Sequence, residues 1–208
     1  MITDYELCLL EAATYDPGTS WDTRWTTGGV YVYHRNVRGY DVIAFRGSDN
    51  MEDWLRDLKG WPKYHPKLGF CHAGFLEDMD LVAQEVLLLL QPASKVVVIG
   101  HSLGAARALI LAALMTVSGL KPDYVVVWGE PRPGFSKLKN ILLGGGFLIR
   151  SYKNRNDPVT LLPYYFGLYR HVTDPIKLDV PMPADYKGIP DHGISLYLIG
   201  MDGYQTPK

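Results

Sequence analysis

Ser102 stands in Gly100-His101-Ser102-Leu103-Gly104, with a glycine two residues before the serine and another two after it. A serine hydroxyl attacks an acyl carbonyl only when a base removes its proton. The glycine spacing suits a sharp turn between a strand and a helix. There a strained serine backbone pushes Oγ outward, and small flanking residues let the two arms close. The helix N-terminus then faces the negative charge that develops during acyl transfer. With Gly at 21 of 208 residues and eight serines, the bare pattern arises by chance in roughly one chain in ten of this composition. The flanks make it stronger. Residues 95–99 form a Lys-Val-Val-Val-Ile run typical of a strand buried on both faces, and an apolar helix follows from about 103 to 117.

An acid and a histidine are expected to follow the serine in that order. Of the six histidines (His34, His65, His72, His101, His171 and His192), only His171 and His192 leave room for an acid in between. His192 is favoured by spacing because it leaves the longer loop to reach back; a histidine that merely bonds a backbone carbonyl is the alternative for either. Asp157 follows the strand-like run 147–153 within Asn154-Arg155-Asn156-Asp157-Pro158. Asp174, Asp179, Asp185 and Asp191 are alternatives whose contexts also suit plain turns.

These residues need a scaffold. Thr3 and Glu6 fit a capping box, and Tyr5, Cys8, Leu9 and Ala12 recur at helical spacing up to Asp16-Pro17-Gly18. Residues 29–34 and 40–45 read as a hairpin around the turn 36–39. Short helical patterns occupy 51–58 and 135–143, and a longer one 75–90. Residues 124–128 and 147–153 read as further strands, with short ones near 169–172 and 176–180 and a last helix over 190–198. Strands alternating with helices predict an α/β fold: a mostly parallel central sheet, helices on both faces and an N-terminal antiparallel edge hairpin.

Composition bounds the function. The 21 basic and 22 acidic residues give a net charge of -1, which argues against nucleic-acid binding, and no run is long enough to span a membrane. Two cysteines are too few for a disulfide scaffold, and both thiols are expected reduced. No zinc-like ligand spacing occurs, so no metal or cofactor is expected. The N-terminus carries no basic stretch of a secretory signal, which makes a cytoplasmic location, or release without a leader, the default expectation. Nothing in the sequence bears on oligomeric state.

Taken in order, the motifs resemble the class 3 lipases, the fungal-type triacylglycerol lipase family of the α/β-hydrolase fold. The likeness covers roughly residues 40–198 and is weaker in the N-terminal helix. It rests on Ala44-Phe45-Arg46-Gly47-Ser48, Trp54-Leu55-Arg56-Asp57-Leu58 and His72-Ala73-Gly74-Phe75, followed by the serine turn. Gly129-Glu130-Pro131-Arg132-Pro133-Gly134, Asn156-Asp157-Pro158-Val159 and His192 complete it. Ala105, Glu130 and Pro133 depart from the commoner family residues, and the span from Asp157 to His192 is short.

The resemblance implies one α/β-hydrolase domain over 1–208, with Ser102 as nucleophile, Asp157 as acid and His192 as base. It implies Ser48 and Leu103 as the oxyanion hole. It further implies a short lid at 50–57, whose Met51, Trp54 and Leu55 share a face over the substrate and supply a weak contact with a lipid interface. Ordinary core packing is the other reading of that face. The expected activity is hydrolysis of short- to medium-chain carboxylic esters through an acyl-enzyme. Phospholipase or feruloyl-esterase activity would use the same residues, and a non-catalytic binding protein could occupy the same scaffold.

Overall fold

A computed structural model describes residues 1–48, 61–91 and 93–202. The expected lid segment, with Met51, Trp54 and Leu55, lies outside the described residues. The first helix, α1 (Asp4–Ala13), starts on the predicted capping box: Thr3 accepts the Glu6 N–H and the Glu6 carboxylate accepts the Thr3 N–H. Three antiparallel strands follow, β1 (Thr23–Thr27), β2 (Val30–Val37) and β3 (Tyr40–Phe45). The predicted hairpin is β2–β3; the polar, largely exposed β1 adds an outermost strand beyond it.

A separate small hairpin, β4 (Pro62–His65) with β5 (Gly69–His72), lies off the main sheet. The expected helix over 75–90 is two helices, α2 (Ala73–Leu76) and α3 (Met79–Leu89). They divide because Asp78 adopts a left-handed φ of 57°. Then come β6 (Lys95–His101), α4 (Leu103–Val117), β7 (Tyr124–Trp128), α5 (Ser136–Gly144) and β8 (Leu148–Asn154). A 3₁₀ turn (Pro158–Leu161), β9 (Ile176–Leu178) and α6 (Ile194–Met201) complete the order. The run 169–172 is not a strand: Arg170 touches only Gly134 in an isolated bridge. The last helix starts later than its apolar pattern suggests, which leaves His192 in the turn before it.

The main sheet has the order β1-β2-β3-β6-β7-β8-β9, and every pairing from β3 to β9 is parallel. Alternation along each central strand feeds two cores. Val96 and Val98 of β6, with Val125 and Val127 of β7, face α3, α4 and α5. Val97, Ile99, Val126 and Trp128 face α1 and α6. Thirteen residues of the helix α4 are buried, so it sits deep under the sheet with its N-terminus fixed at the strand ends. Ser102 follows β6, Gly129 follows β7 and Asp157 follows β8, so one edge of the parallel strands gathers the residues that could do chemistry.

Candidate active site

Ser102 occupies the single-residue turn between β6 and α4, with φ 58° and ψ −124°, a region that L-residues rarely adopt. Its backbone N–H bonds the carbonyl of Trp128 at 3.0 Å, which locks the turn to the neighbouring strand end. The two glycines have steric reasons. A Cβ on Gly100 would lie 2.3 Å from the carbonyl oxygen of Gly104, and one on Gly104 would lie 1.8 Å from that of Phe45. Strand, turn and helix therefore close only with hydrogen at both positions. The turn leaves the Leu103 N–H at the helix start, among the amides without an intrahelical acceptor.

Asp157 is fully buried in the loop after β8. Its Oδ1 accepts the Val159 N–H at 2.9 Å. Its Oδ2 takes two further bonds, from His192 Nδ1 at 2.7 Å and from the hydroxyl of Tyr197 at 2.5 Å. The Tyr197 oxygen in turn accepts the Asn154 N–H at 3.2 Å. Burial, followed by the nearby Asp157 charge, pushes the Tyr197 phenol well above its ordinary pKa, so it stays a donor.

His192 is aimed by its predecessor. Asp191 has φ 60°, and its carboxylate accepts the Asn156 N–H at 3.3 Å, tying the turn to the acid loop. Because Nδ1 donates to a carboxylate, the Nε2 lone pair remains to take a proton; among the described residues Nε2 is buried without a hydrogen-bond partner.

The alternatives separate clearly. His171 gives Nε2–H to the carbonyl of Thr160 at 2.7 Å and sits with Nδ1 3.5 Å from Glu130. It braces the acid loop and makes no bond to Asp157. Asp174, Asp179 and Asp185 are exposed, and Asp179 pairs with Arg155 at 3.2 Å.

Ser48 follows β3 in the loop that passes beside the serine turn: a Cβ on Gly47 would lie 3.3 Å from Ser102 Cβ. A chain of bonds joins that loop to His192. The Gly47 N–H donates to the Tyr15 hydroxyl at 3.0 Å, and Tyr15 meets His101 Nδ1 at 2.9 Å. His101 Nε2 lies 2.8 Å from the carbonyl of His192. A carbonyl only accepts, so His101 carries its hydrogen on Nε2 and Tyr15 donates to Nδ1. The His101 ring stacks on His192 with centroids 4.7 Å apart. Burial, and then the neighbouring His192 charge, holds its pKa well below the usual histidine value, so it stays neutral.

Beneath it, Glu11 is fully buried and accepts the His101 N–H at 3.1 Å. Burial raises this carboxyl well above its ordinary range, and the bond from the His101 N–H works against that rise. Tyr15, Glu11, His101 and Tyr197 are thus site neighbours that motif reading does not single out. His101 lies inside the Gly-x-Ser-x-Gly stretch, at a position that the pattern treats as free. Tyr197 lies five residues past His192 with no spacing signal of its own.

Residues 42–166 match the family described as Lipase (class 3). The chain is 32% identical over 167 residues to a secreted mono- and diacylglycerol lipase of Fusarium solani, covering 76% of this chain and 50% of that protein. Its fold matches the triacylglyceride lipase of Rhizomucor miehei with a TM-score of 0.71 and 25% identity, over 85% of this chain and 78% of that one. A further solved triacylglycerol lipase, whose catalytic centre is a serine protease triad, matches with a TM-score of 0.70 and 26% identity over 86% and 82% of the two chains. The chain spans about half the length of the curated relatives it matches.

Proposed function

The chain belongs to the class 3 lipases, and from that footing we propose that it is a serine hydrolase of carboxylic esters with short to medium acyl chains. Ser102 attacks the ester carbonyl while His192 Nε2 takes its proton. Asp157 keeps the imidazole in the required tautomer and stabilises the imidazolium. The Leu103 N–H and Ser48 receive the tetrahedral oxyanion. His192 then protonates the leaving alcohol, and water repeats the sequence on the acyl-enzyme. The observation that carries this reading is the buried pair of His192 Nδ1 and Asp157 Oδ2 at 2.7 Å, together with a serine held at positive φ at the end of β6. The Fusarium solani relative, described as acting on mono- and diacylglycerols, supports acylglycerols as the substrate class.

A p-nitrophenyl ester series of increasing acyl length, with fluorophosphonate labelling, tests it. Hydrolysis and labelling are expected in the wild type, and both are expected to vanish in Ser102→Ala, with kcat falling by roughly 10⁴-fold or more. An unlabelled wild type that hydrolyses no ester overturns the reading. Ser48→Ala is expected to lower kcat about 10²- to 10³-fold through loss of one oxyanion donor.

A further inference from the structure

An open trough of about 550 Å³ runs between helix α1 and the end of strand β2, and none of Ser102, Asp157 and His192 lines it. We propose that this trough binds the anion of a single-chain fatty acid, with the chain on its apolar floor and the carboxylate on Arg35. Binding there calls on no catalytic residue.

The floor follows from how α1 packs. The helix turns Leu7, Cys8 and Glu11 into the core. Glu6, Leu9, Leu10 and Ala13, at spacings of three and four, form a second stripe along its side. Leu9 is exposed, and Leu10 and Ala13 are half-buried. Ile2 and Val37 extend this apolar surface towards the strand. The volume falls within the roughly 300–1,000 Å³ of small-molecule sites.

Arg35 supplies the head-group partner. Alternation along β2 places Tyr33, Arg35 and Val37 on the face that meets α1: Tyr33 belongs to that core and Val37 packs against it. Arg35 is half-buried there, where an arginine is ordinarily paired. Among the described residues no carboxylate pairs with it. The nearby acids are engaged elsewhere. Glu6 holds Arg38 at 2.6 Å and accepts the Thr3 N–H, and Asp22 accepts the Asn36 N–H at 2.6 Å. The charged residues lining the trough are two arginines, Arg35 and Arg38, and one acid, Glu6, which leaves one positive charge. A monoanion balances that charge, whereas a dianionic phosphate ester exceeds it. A carboxylate also matches the guanidinium fork with two parallel hydrogen bonds. A long-chain alcohol fills the floor but leaves Arg35 without a counter-charge.

Titration calorimetry with decanoate, decanol and decyltrimethylammonium, on wild type and Arg35→Gln, tests the proposal. The wild type is expected to bind decanoate more tightly than either of the others. Arg35→Gln is expected to weaken decanoate binding about tenfold and to leave decanol within about twofold. Absence of decanoate binding, or equal affinity in wild type and Arg35→Gln, overturns the proposal. Ala13→Trp fills the floor and is expected to weaken decanoate while keeping the wild-type Tm; unchanged binding in that variant also overturns it. Photolabelling locates the ligand directly. Decanoate with a diazirine at its chain end is expected to label the peptides of α1 or β2. Label confined to peptides holding Ser48, Ser102 or His192 would place the acid in the catalytic site and overturn the trough assignment.

Discussion

Asp157 carries three hydrogen bonds in a fully buried position, and the two to Oδ2 divide its work. Replacing it with Asn puts an amide donor against His192 Nδ1 and favours the wrong tautomer. Asp157→Asn is therefore expected to lower kcat by about 10⁴-fold with substrate binding retained. Tyr197→Phe removes a donor to the carboxylate but keeps the histidine bond. A loss of about tenfold in kcat with little change in KM is expected, and steady-state kinetics on one soluble ester separates the two variants. Glu11 makes a different prediction. The unfolded chain releases this proton near pH 4.3 (about the free glutamate value), whereas the folded chain retains it to higher pH. Above that pH the unfolded state binds fewer protons, so this residue lowers stability as pH rises. Glu11→Gln keeps an acceptor for the His101 N–H without the titration. Its Tm is expected to exceed that of the wild type by a few degrees at pH 8 and to converge with it below about pH 4; parallel Tm curves would show that Glu11 is not protonated in the folded chain.

Helix α1 shows what the sequence makes legible and what it hides. Its start is readable from Thr3 and Glu6 because a capping box is a local pattern. Its buried face is not. Apolar spacing points to Tyr5, Cys8, Leu9 and Ala12, yet the helix buries Asp4, Leu7, Cys8 and Glu11 and exposes Leu9. Asp4 and Glu11 count as wet in any apolar periodicity, and their partners lie 146 and 90 residues away. The central strands and the long helix α4 were legible because each is a continuous run, and Ser102, Asp157 and His192 stand out as candidates because each lies in a short motif or ordered position. The acid loop was separable from its rivals only in space, and β4–β5 is too short and polar to show a period. The Asp4 contact has a consequence for the element. Arg150 Nη2 of β8 donates to Asp4 at 2.6 Å, and the Tyr152 hydroxyl donates to the other oxygen at 2.5 Å. Asp4→Ala leaves the Arg150 cation buried without its counter-charge, with an expected cost of about 3–5 kcal/mol. Urea unfolding measures it, and a loss under about 1 kcal/mol would mean that α1 docks by apolar packing alone.

At the scale of the whole molecule, two hydrophobic cores share one sheet. The cores are separate in space, but consecutive residues of β6 and of β7 belong to opposite ones. Neither face can lose its packing without disturbing the strands that serve the other. The site depends on both, since Ser102 leads into α4 on one face while His192 leads into α6 on the other. Unfolding is therefore expected as one cooperative step despite a length at which intermediates become common. Leu109→Ala in α4 and Leu7→Ala in α1 each empty a fully buried position, one in each core. Each is expected to cost about 2–5 kcal/mol. In guanidinium titrations followed by tryptophan fluorescence and by far-ultraviolet circular dichroism, both variants should shift the two signals together to a lower midpoint. If Leu7→Ala moves only one signal, or splits the curve in two, the faces unfold separately, and the α1 side could then open around His192 while the serine turn stays folded.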